Sequence, residues 1–425
     1  MESNRILPSG SFRRCLPAAF FALLVAGLVG CSSQASGPSD DPGVPTTLTA
    51  LEGMGLQAPA GTILPEGPTV RLLDQYGEPV SEVTVSFQVV EGGGSAPVPN
   101  RLTDSQGLAR APWILGRGVG SPQRLRASVG TLSVDFQATA TLAIPGEVYL
   151  GRRGYVEYLP GDLPVVLSAP HGGDMHPAEI PDRSWGAVVQ DRNTWDLALR
   201  IREEIKELTG SYPHIVISRL HRIKLDPNRE IEEAAQGDPE SERAWWEYHT
   251  FLEEATQLVE DEFGEGLYID LHGHGHEIQR LELGYLLSSS DLANSNETLS
   301  GASFINKSSF RALGQQPGSN FAELIRGPQS LGSLLEARGV PAVPSLNQPG
   351  PGGDPFFSGG YNTARHGSRT DGSVSGVQIE CNYTGIRDTD ENRQAFAENL
   401  AEVLRAFFQG TFGMELAPAG SPAGH

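Results

Sequence analysis

The sequence predicts a multidomain chain, an all-β sandwich followed by an α/β domain, on three observations. Between residues 47 and 143, apolar and polar residues alternate in short runs separated by Gly, Pro and Asp. From about residue 146, strand-like apolar runs alternate with amphipathic helical ones. The polar residues able to do chemistry gather at or just beyond the ends of those later strand-like runs. A period of two belongs to half-buried strands, and strand–helix alternation belongs to a sheet covered by helices. The length of 425 residues is enough for two or three domains, each with its own core.

At the N-terminus, Arg5, Arg13 and Arg14 precede an almost unbroken apolar run over residues 16–30, too short for a comfortable transmembrane helix. The run ends in Leu28-Val29-Gly30-Cys31, which resembles a bacterial lipobox, where the Cys becomes the first mature residue and carries lipid. Residues 1–30 are therefore expected to be a lipoprotein signal peptide. Ser32, where an Asp is absent, implies the outer membrane, so the expected location is extracytoplasmic: outer membrane, periplasm or cell surface. Residues 31–46, polar and rich in Ser, Gly, Pro and Asp, cannot bury apolar surface and read as a flexible tether. Cys15 and Cys31 flank the apolar run and Cys381 stands alone in the body, which excludes a disulfide framework and a Cys-rich metal site. A formal net charge of -21 argues against nucleic acid as a partner and leaves the lipid anchor as the expected membrane contact.

Residues 47–143 carry the alternating runs TVRLL (69–73), VTVSFQVV (83–90) and LSVDFQA (132–138) between turn signals, the pattern of a sandwich. The strings DQYGEPV (74–80) and TDSQGLA (103–109), with Trp113-x-Leu115-Gly116 after them, resemble the bacterial Ig-like group 1 domains of intimin- and invasin-like surface proteins. That resemblance implies a spacer or an adhesive module.

In the second domain, residues 164–168 (PVVLS), 215–217 (IVI), 267–271 (LYIDL) and 376–380 (GVQIE) read as strands. Residues 191–208, 242–263 and 391–408 read as helices, the first with Ala198, Ile201, Ile205 and Leu208 on one face. Residues 349–366, Gly-rich and leading into the last strand, are expected to form an active-site wall, with Tyr361 and His366 as candidate substrate contacts. Residues 411–425 read as a disordered tail.

Four polar constellations sit at those strand ends: Ser168-Ala169-Pro170-His171-Gly172-Gly173, Leu225-Asp226-Pro227-Asn228-Arg229, Ile269-Asp270-Leu271-His272-Gly273-His274-Gly275-His276 and Val377-Gln378-Ile379-Glu380. In α/β sheets such positions usually form the site. Two His and a carboxylate are what zinc needs while keeping an open position.

Pro-His-Gly-Gly, Asp191-x-x-Thr194, Asp-x-Asn-Arg, Asp-x-His and Gln-Ile-Glu, in that order, resemble the N-formylglutamate amidohydrolases, part of a wider zinc carboxypeptidase-like fold group that includes aspartoacylases. The resemblance covers roughly residues 150–410 and implies a mixed sheet flanked by helices over 147–410, with one zinc ion. It makes His171 and His272 zinc ligands and leaves the third open: Asp191 first, with Glu179 and Asp174 as alternatives. It makes Glu380 the general base, and Asn228 and Arg229, assisted by Arg219, the grip on a substrate carboxylate. Arg suits that task because its planar fork binds carboxylate bidentately. His274 and His276 stand as neighbours with a possible ligand or substrate role, and His249 reads as packing. The expected reaction is hydrolysis of a linear amide in a small N-acyl amino acid or a peptide. The alternative is a non-catalytic surface binding or adhesion lipoprotein built on a degenerate hydrolase domain.

Overall fold

The structure is a computed structural model that describes residues 43–420. The segments expected to form the signal peptide and lipobox, and most of the expected tether, lie outside the described residues.

The N-terminal region is strand-rich: β1 (Pro45–Glu52), β2 (Leu56–Pro59), β3 (Thr69–Asp74), β4 (Thr84–Glu91), β5 (Gly94–Ser95), β6 (Asn100–Leu102), β7 (Leu108–Arg110), β8 (Ile114–Leu115), β9 (Pro122–Val129) and β10 (Leu132–Thr141). They form a sheet of order β1-β3-β7, a second of order β2-β10-β9-β4-β6, and the pair β5-β8. Alternation decides which side chains turn inward. In β4, Val85 and Phe87 are buried while Thr84, Ser86 and Gln88 face water. Val70 and Ala109 of the first sheet meet Val85, Phe87, Leu125, Ala127 and Phe136 of the second around Trp113.

The second domain is a mixed eight-stranded sheet of order β11-β12-β14-β13-β15-β18-β16-β17. Its strands are β11 (Tyr149–Leu150), β12 (Val156–Leu159), β13 (Val165–Ala169), β14 (His214–Ser218), β15 (Gly266–His274), β16 (Leu281–Gly284), β17 (Ala342–Val343) and β18 (Val374–Asn382). The central four, β14, β13, β15 and β18, run parallel. β12 and β16 flank them antiparallel. The helices are α1 (Thr194–Thr209), α2 (Ile231–Ala235), α3 (Pro239–Phe263), short α4–α9 (Ser289–Leu292, Asn296–Leu299, Ala302–Lys307, Arg311–Gly314, Phe321–Arg326 and Leu331–Ala337), α10 (Tyr361–His366) and α11 (Asp390–Phe407).

The parallel strands read as continuous apolar runs because both faces are covered. Leu167, Ile217, Ile269, Leu271, Val377 and Ile379 pack with Leu197, Ile201 and Ile205 of α1 and Phe396, Leu400 and Phe407 of α11. Val166, Val216 and Tyr268 face Trp245, Tyr248, Leu252 and Val259 of α3. On that second face, residues two further along each strand become polar: Ser168, Asp270, His272, Gln378 and Glu380, all buried. Strand period thus carries one face from core to site as the chain approaches the C-terminal ends of the strands.

Several boundaries differ from the sequence reading. α1 begins at Thr194, because Asn193 at φ +68° breaks the helical path; Asp191 therefore precedes the helix rather than opening it. β15 runs on to His274, so His272 and His274 lie within a strand and not beyond it. Part of the expected wall at residues 349–366 is helical, as α10. The segment from residue 411, expected as a disordered tail, packs as far as Leu416, which is buried in the main core.

Although the two regions have separate cores, charged side chains of the second, most of them on α3, join them. Arg243 donates to the carbonyls of Leu64 and Pro65. Arg117 donates to Glu254 at 2.6 Å, and Arg152 lies 3.4 Å from Glu66. Glu247 and Glu254 are buried by this arrangement, and burial pushes each carboxyl up to about 7 despite the arginines beside them.

Candidate metal centre

His171 leaves the end of β13 on a loop whose next two residues admit no side chain. A Cβ on Gly172 would lie 2.4 Å from the Trp195 nitrogen, and one on Gly173 would lie 2.3 Å from the Arg219 backbone. This close approach lets the loop turn under α1, and a backbone bond from Asp191 N–H to the His171 carbonyl at 3.1 Å ties the two segments. Asp191 then reaches between two rings. Its Oδ2 lies 3.2 Å from His171 Nδ1 and 3.2 Å from His272 Nδ1, and it accepts from the Gly273 N–H at 3.2 Å.

The far side of each imidazole meets another carboxylate. His171 Nε2 is 2.6 Å from Asp226 Oδ1, and His272 Nε2 is 2.9 Å from Asp270 Oδ2. Both nitrogens of both rings therefore face carboxylate oxygens, yet a neutral imidazole has one N–H and one lone pair. The outer carboxylates fix the proton on Nε2 and leave both Nδ1 lone pairs, with Asp191 Oδ2, converging on one point. A cation there resolves the mismatch, and a carboxylate behind each ligating His is the usual way such a ring is oriented and made more basic. The ligand atoms of His171, Asp191 and His272 all lie within 4.8 Å of one another, and all three residues are buried. Two imidazoles and one carboxylate match the ligand set of an open, catalytic zinc site; the donor chemistry fits the ion that the sequence implies.

The surrounding carboxylates favour positive charge at this point, whether as a proton on an imidazole or as a cation between the rings. Burial opposes ionisation of Asp191 and Asp226, but His171 beside both, His272 beside Asp191 and Arg222 beside Asp226 hold them well below the usual carboxylate range. Burial likewise opposes a charge on His272, which Asp270 and Asp191 nevertheless hold well above the ordinary histidine value. Arg222 donates to Asp226 at 2.9 Å and stands 3.8 Å from Asp191.

Glu380 pairs in register with His272 across β15–β18 and with Glu282 across β18–β16, so the three side chains stand in one row on one face. Burial pushes its carboxyl up to about 8; His272 opposes the rise, while Asp191, Glu282 and Asp270 add to it. Gln378 Nε2 donates to Glu380 Oε1 at 2.9 Å and orients it. A carboxyl poised near neutrality is matched to taking and returning a proton.

The structure distributes the other candidates differently. Glu179 is outside the cluster: its carboxylate accepts from Tyr155 Oη at 2.6 Å and pairs with Arg153. Asp174 is exposed. Asn228 is turned inward, its Oδ1 accepting from Asn362 N–H at 2.9 Å and its Nδ2 lying 3.4 Å from His272 Nε2, so its amide oxygen is spent on holding α10 beside the site. Arg229 keeps about a third of its side chain exposed, donating to the Asn228 carbonyl at 2.7 Å and to Glu233 at 3.2 Å. Arg219 turns away, over the Trp195 ring. Tyr361 bonds to Arg365. His366 meets His249 Nδ1 at 2.8 Å, and His249 Nε2 donates to the Pro227 carbonyl at 3.1 Å, so this buried pair supports the Asp226–Arg229 loop. Asp226 and Asp270 received no role from the sequence. The alternation that places His272 also places Asp270 on its face, and that signal was available.

Solved structures similar to this chain include N-formylglutamate amidohydrolase from Ralstonia eutropha, at 14% identity over 61% of this chain and 98% of that one, TM-score 0.37. A gene product from Agrobacterium tumefaciens is 14% identical over 60% of this chain and 95% of its own, TM-score 0.37. The D00-D0 domain of intimin is 19% identical over 24% of this chain and 46% of its own, TM-score 0.18. No protein-family model matches the sequence, and no curated protein matches it.

Proposed function

We propose that the chain is a zinc-dependent amidohydrolase of the N-formylglutamate amidohydrolase type, cleaving a linear amide in an N-acyl amino acid or peptide that bears a carboxylate. The observation that carries this reading is the convergence of His171 Nδ1, His272 Nδ1 and Asp191 Oδ2 on one point, with Asp226 and Asp270 behind the two rings. Those three residues would hold one zinc ion. When bound, zinc is a Lewis acid that polarises a carbonyl and makes water acidic near neutral pH.

The chain's own residues supply the rest. Asp226 and Asp270 keep the Nε2 protons in place, so each ring presents a lone pair inward. Glu380, in the same row as His272, accepts the proton of the attacking water. Gln378 holds Glu380 in that orientation. Arg229, partly open to solvent beside the site, anchors the substrate carboxylate, and Asn228 holds the loop that presents it.

The test is zinc content of the purified protein together with hydrolysis of a panel of N-acyl amino acids and peptides. About one zinc per chain and turnover that is lost with His171→Ala support the reading; a protein that binds no zinc and cleaves none of the panel removes it. We propose in addition that Cys31, outside the described residues, carries a lipid anchor that places the enzyme outside the cytoplasm. Cys31→Ala should then leave the membrane fraction or remain unprocessed, and unchanged fractionation and maturation would refute the anchor.

A further inference from the structure

Beyond the ligands and the base, the site carries a third imidazole–carboxylate pair, which the proposed function leaves without a role. Glu282 stands on β16 directly across from Glu380, in the row that His272 begins. It is buried, and both its oxygens are engaged: Oε1 with His276 Nδ1 at 2.7 Å, Oε2 with the Phe357 N–H at 2.8 Å. The His276 ring is fixed on a second side by Phe357, stacked on it at 4.8 Å between centroids and 7° between planes. Its backbone N–H is tied to His274 Nδ1 at 3.1 Å. One edge remains. His276 Nε2 makes no hydrogen bond among the described residues, and its side chain is 24% exposed.

His274, His276 and Glu282 lie close enough to share a cation. The bonding argues against one. His274 Nε2 donates to the Arg280 carbonyl at 2.8 Å while Nδ1 accepts from His276 N–H, so neither nitrogen of His274 is open to a metal. What remains is a dyad: a buried carboxylate holding the Nδ1 proton of an imidazole whose Nε2 is free, at the open side of the row that holds the proposed base. A carboxylate in that position fixes the tautomer and orientation of the ring and leaves Nε2 facing outward.

Resting on the amidohydrolase reading, we propose that His276, held by Glu282, is the general acid that protonates the leaving nitrogen. Amide hydrolysis requires such a donor, because an unprotonated amide anion is a very poor leaving group. The water oxygen bonds to the carbonyl carbon as one of its protons passes to Glu380. The C–N bond then breaks with its electron pair going to nitrogen, and the imidazolium of His276 gives its Nε2 proton to that nitrogen. The departing amine takes the proton held by Glu380. The acid product releases its remaining proton to water, and His276 regains one from water through its exposed edge.

The experiment uses the full chain and two substrates with the same acyl group: an N-acyl amino acid and the corresponding 4-nitrophenyl ester, whose leaving group departs without a proton. In His276→Gln and Glu282→Gln, zinc stoichiometry and circular dichroism should match the parent. Turnover of the amide should fall on the order of 10²-fold or more in both, the usual worth of general acid catalysis, while the ester rate of His276→Gln should stay within about threefold. Equal losses on both substrates with zinc retained would make the pair merely structural and overturn the proposal. So would an unchanged amide rate in His276→Gln, or zinc lost from that variant. A parent that cleaves neither substrate removes the hydrolase reading and this proposal with it, whereas an active parent beside an unaffected His276→Gln removes the dyad alone.

Discussion

Replacing Asp226 by Asn tests whether the carboxylates behind the two rings serve a metal. The substitution keeps size and shape and removes one charge. In the structure, Asp226 is fully buried and lies 2.6 Å from His171 Nε2. An Asn oxygen can still accept the Nε2 proton, so the ring keeps its tautomer, but the imidazole loses the charge that raises its basicity toward a cation. Loss of such an outer partner costs on the order of 10- to 100-fold in metal affinity, or about 1.4 to 2.7 kcal/mol. Asp270→Asn should act in the same way on His272, from which it stands 2.9 Å. The two carboxylates act through different rings on one ion, so the double variant should lose roughly the product of the single losses, on the order of 10²- to 10⁴-fold. The assay is zinc competition against a chromophoric chelator at fixed pH, with circular dichroism to confirm folding. Zinc bound as tightly by both folded variants as by the parent would refute the reasoning, because neither carboxylate would then face a ligand.

Glu380→Gln should keep its zinc, since Glu380 is no ligand, while kcat falls on the order of 10²- to 10⁴-fold; full activity in that variant would remove Glu380 from the mechanism. Arg229→Ala should chiefly slow substrates with a free carboxylate, by on the order of ten- to a hundredfold relative to their amide analogues, with Arg229→Lys restoring only part; equal losses on both substrate types would end the anchor role. Glu254, raised to about 7 by burial against the strand-rich region, keeps its proton in the folded protein at pH values where the unfolded chain, near its ordinary 4.5, has lost it. Folded chains thus bind more protons between those values, so this group's contribution to stability declines as pH rises from about 4.5 to 7, by about 1.4 kcal/mol per unit of the pKa rise. Glu254→Gln should flatten that decline in denaturation curves taken at pH 5 and pH 8, and an unchanged pH slope would show that the carboxyl titrates normally.

How far the sequence revealed this arrangement depended on whether a feature is local. The alternation in VTVSFQVV and the apolar runs at 164–168, 215–217, 267–271 and 376–380 carry their own period, and the structure has a strand over each, with ends differing by a few residues. His171 and His272 were visible because each follows or ends such a run, and the structure brings them together with Asp191. What was not visible is set by strand order. Glu282 is separated from Glu380 by nearly a hundred residues, and only the antiparallel pairing of β16 against β18 sets them side by side. His276 reads as one of three His in a Gly-rich stretch until the loop after β15 folds back to place it on Glu282. Asn228, beside an Arg, reads as a substrate contact, yet the approach of α10 claims its amide. Glu254 is buried because the strand-rich region covers that side of α3, which nothing in the helix's own periodicity announces. The recurring cause is that a polar residue's partner lies on another element. Period tells which face a side chain takes, while the partner that decides its role comes only with the order of strands in the sheet and the path of the loops above it. That is why Asp226 and Asp270, quoted as parts of their strings, remained without a role until the rings they hold were seen to turn their other nitrogens toward Asp191.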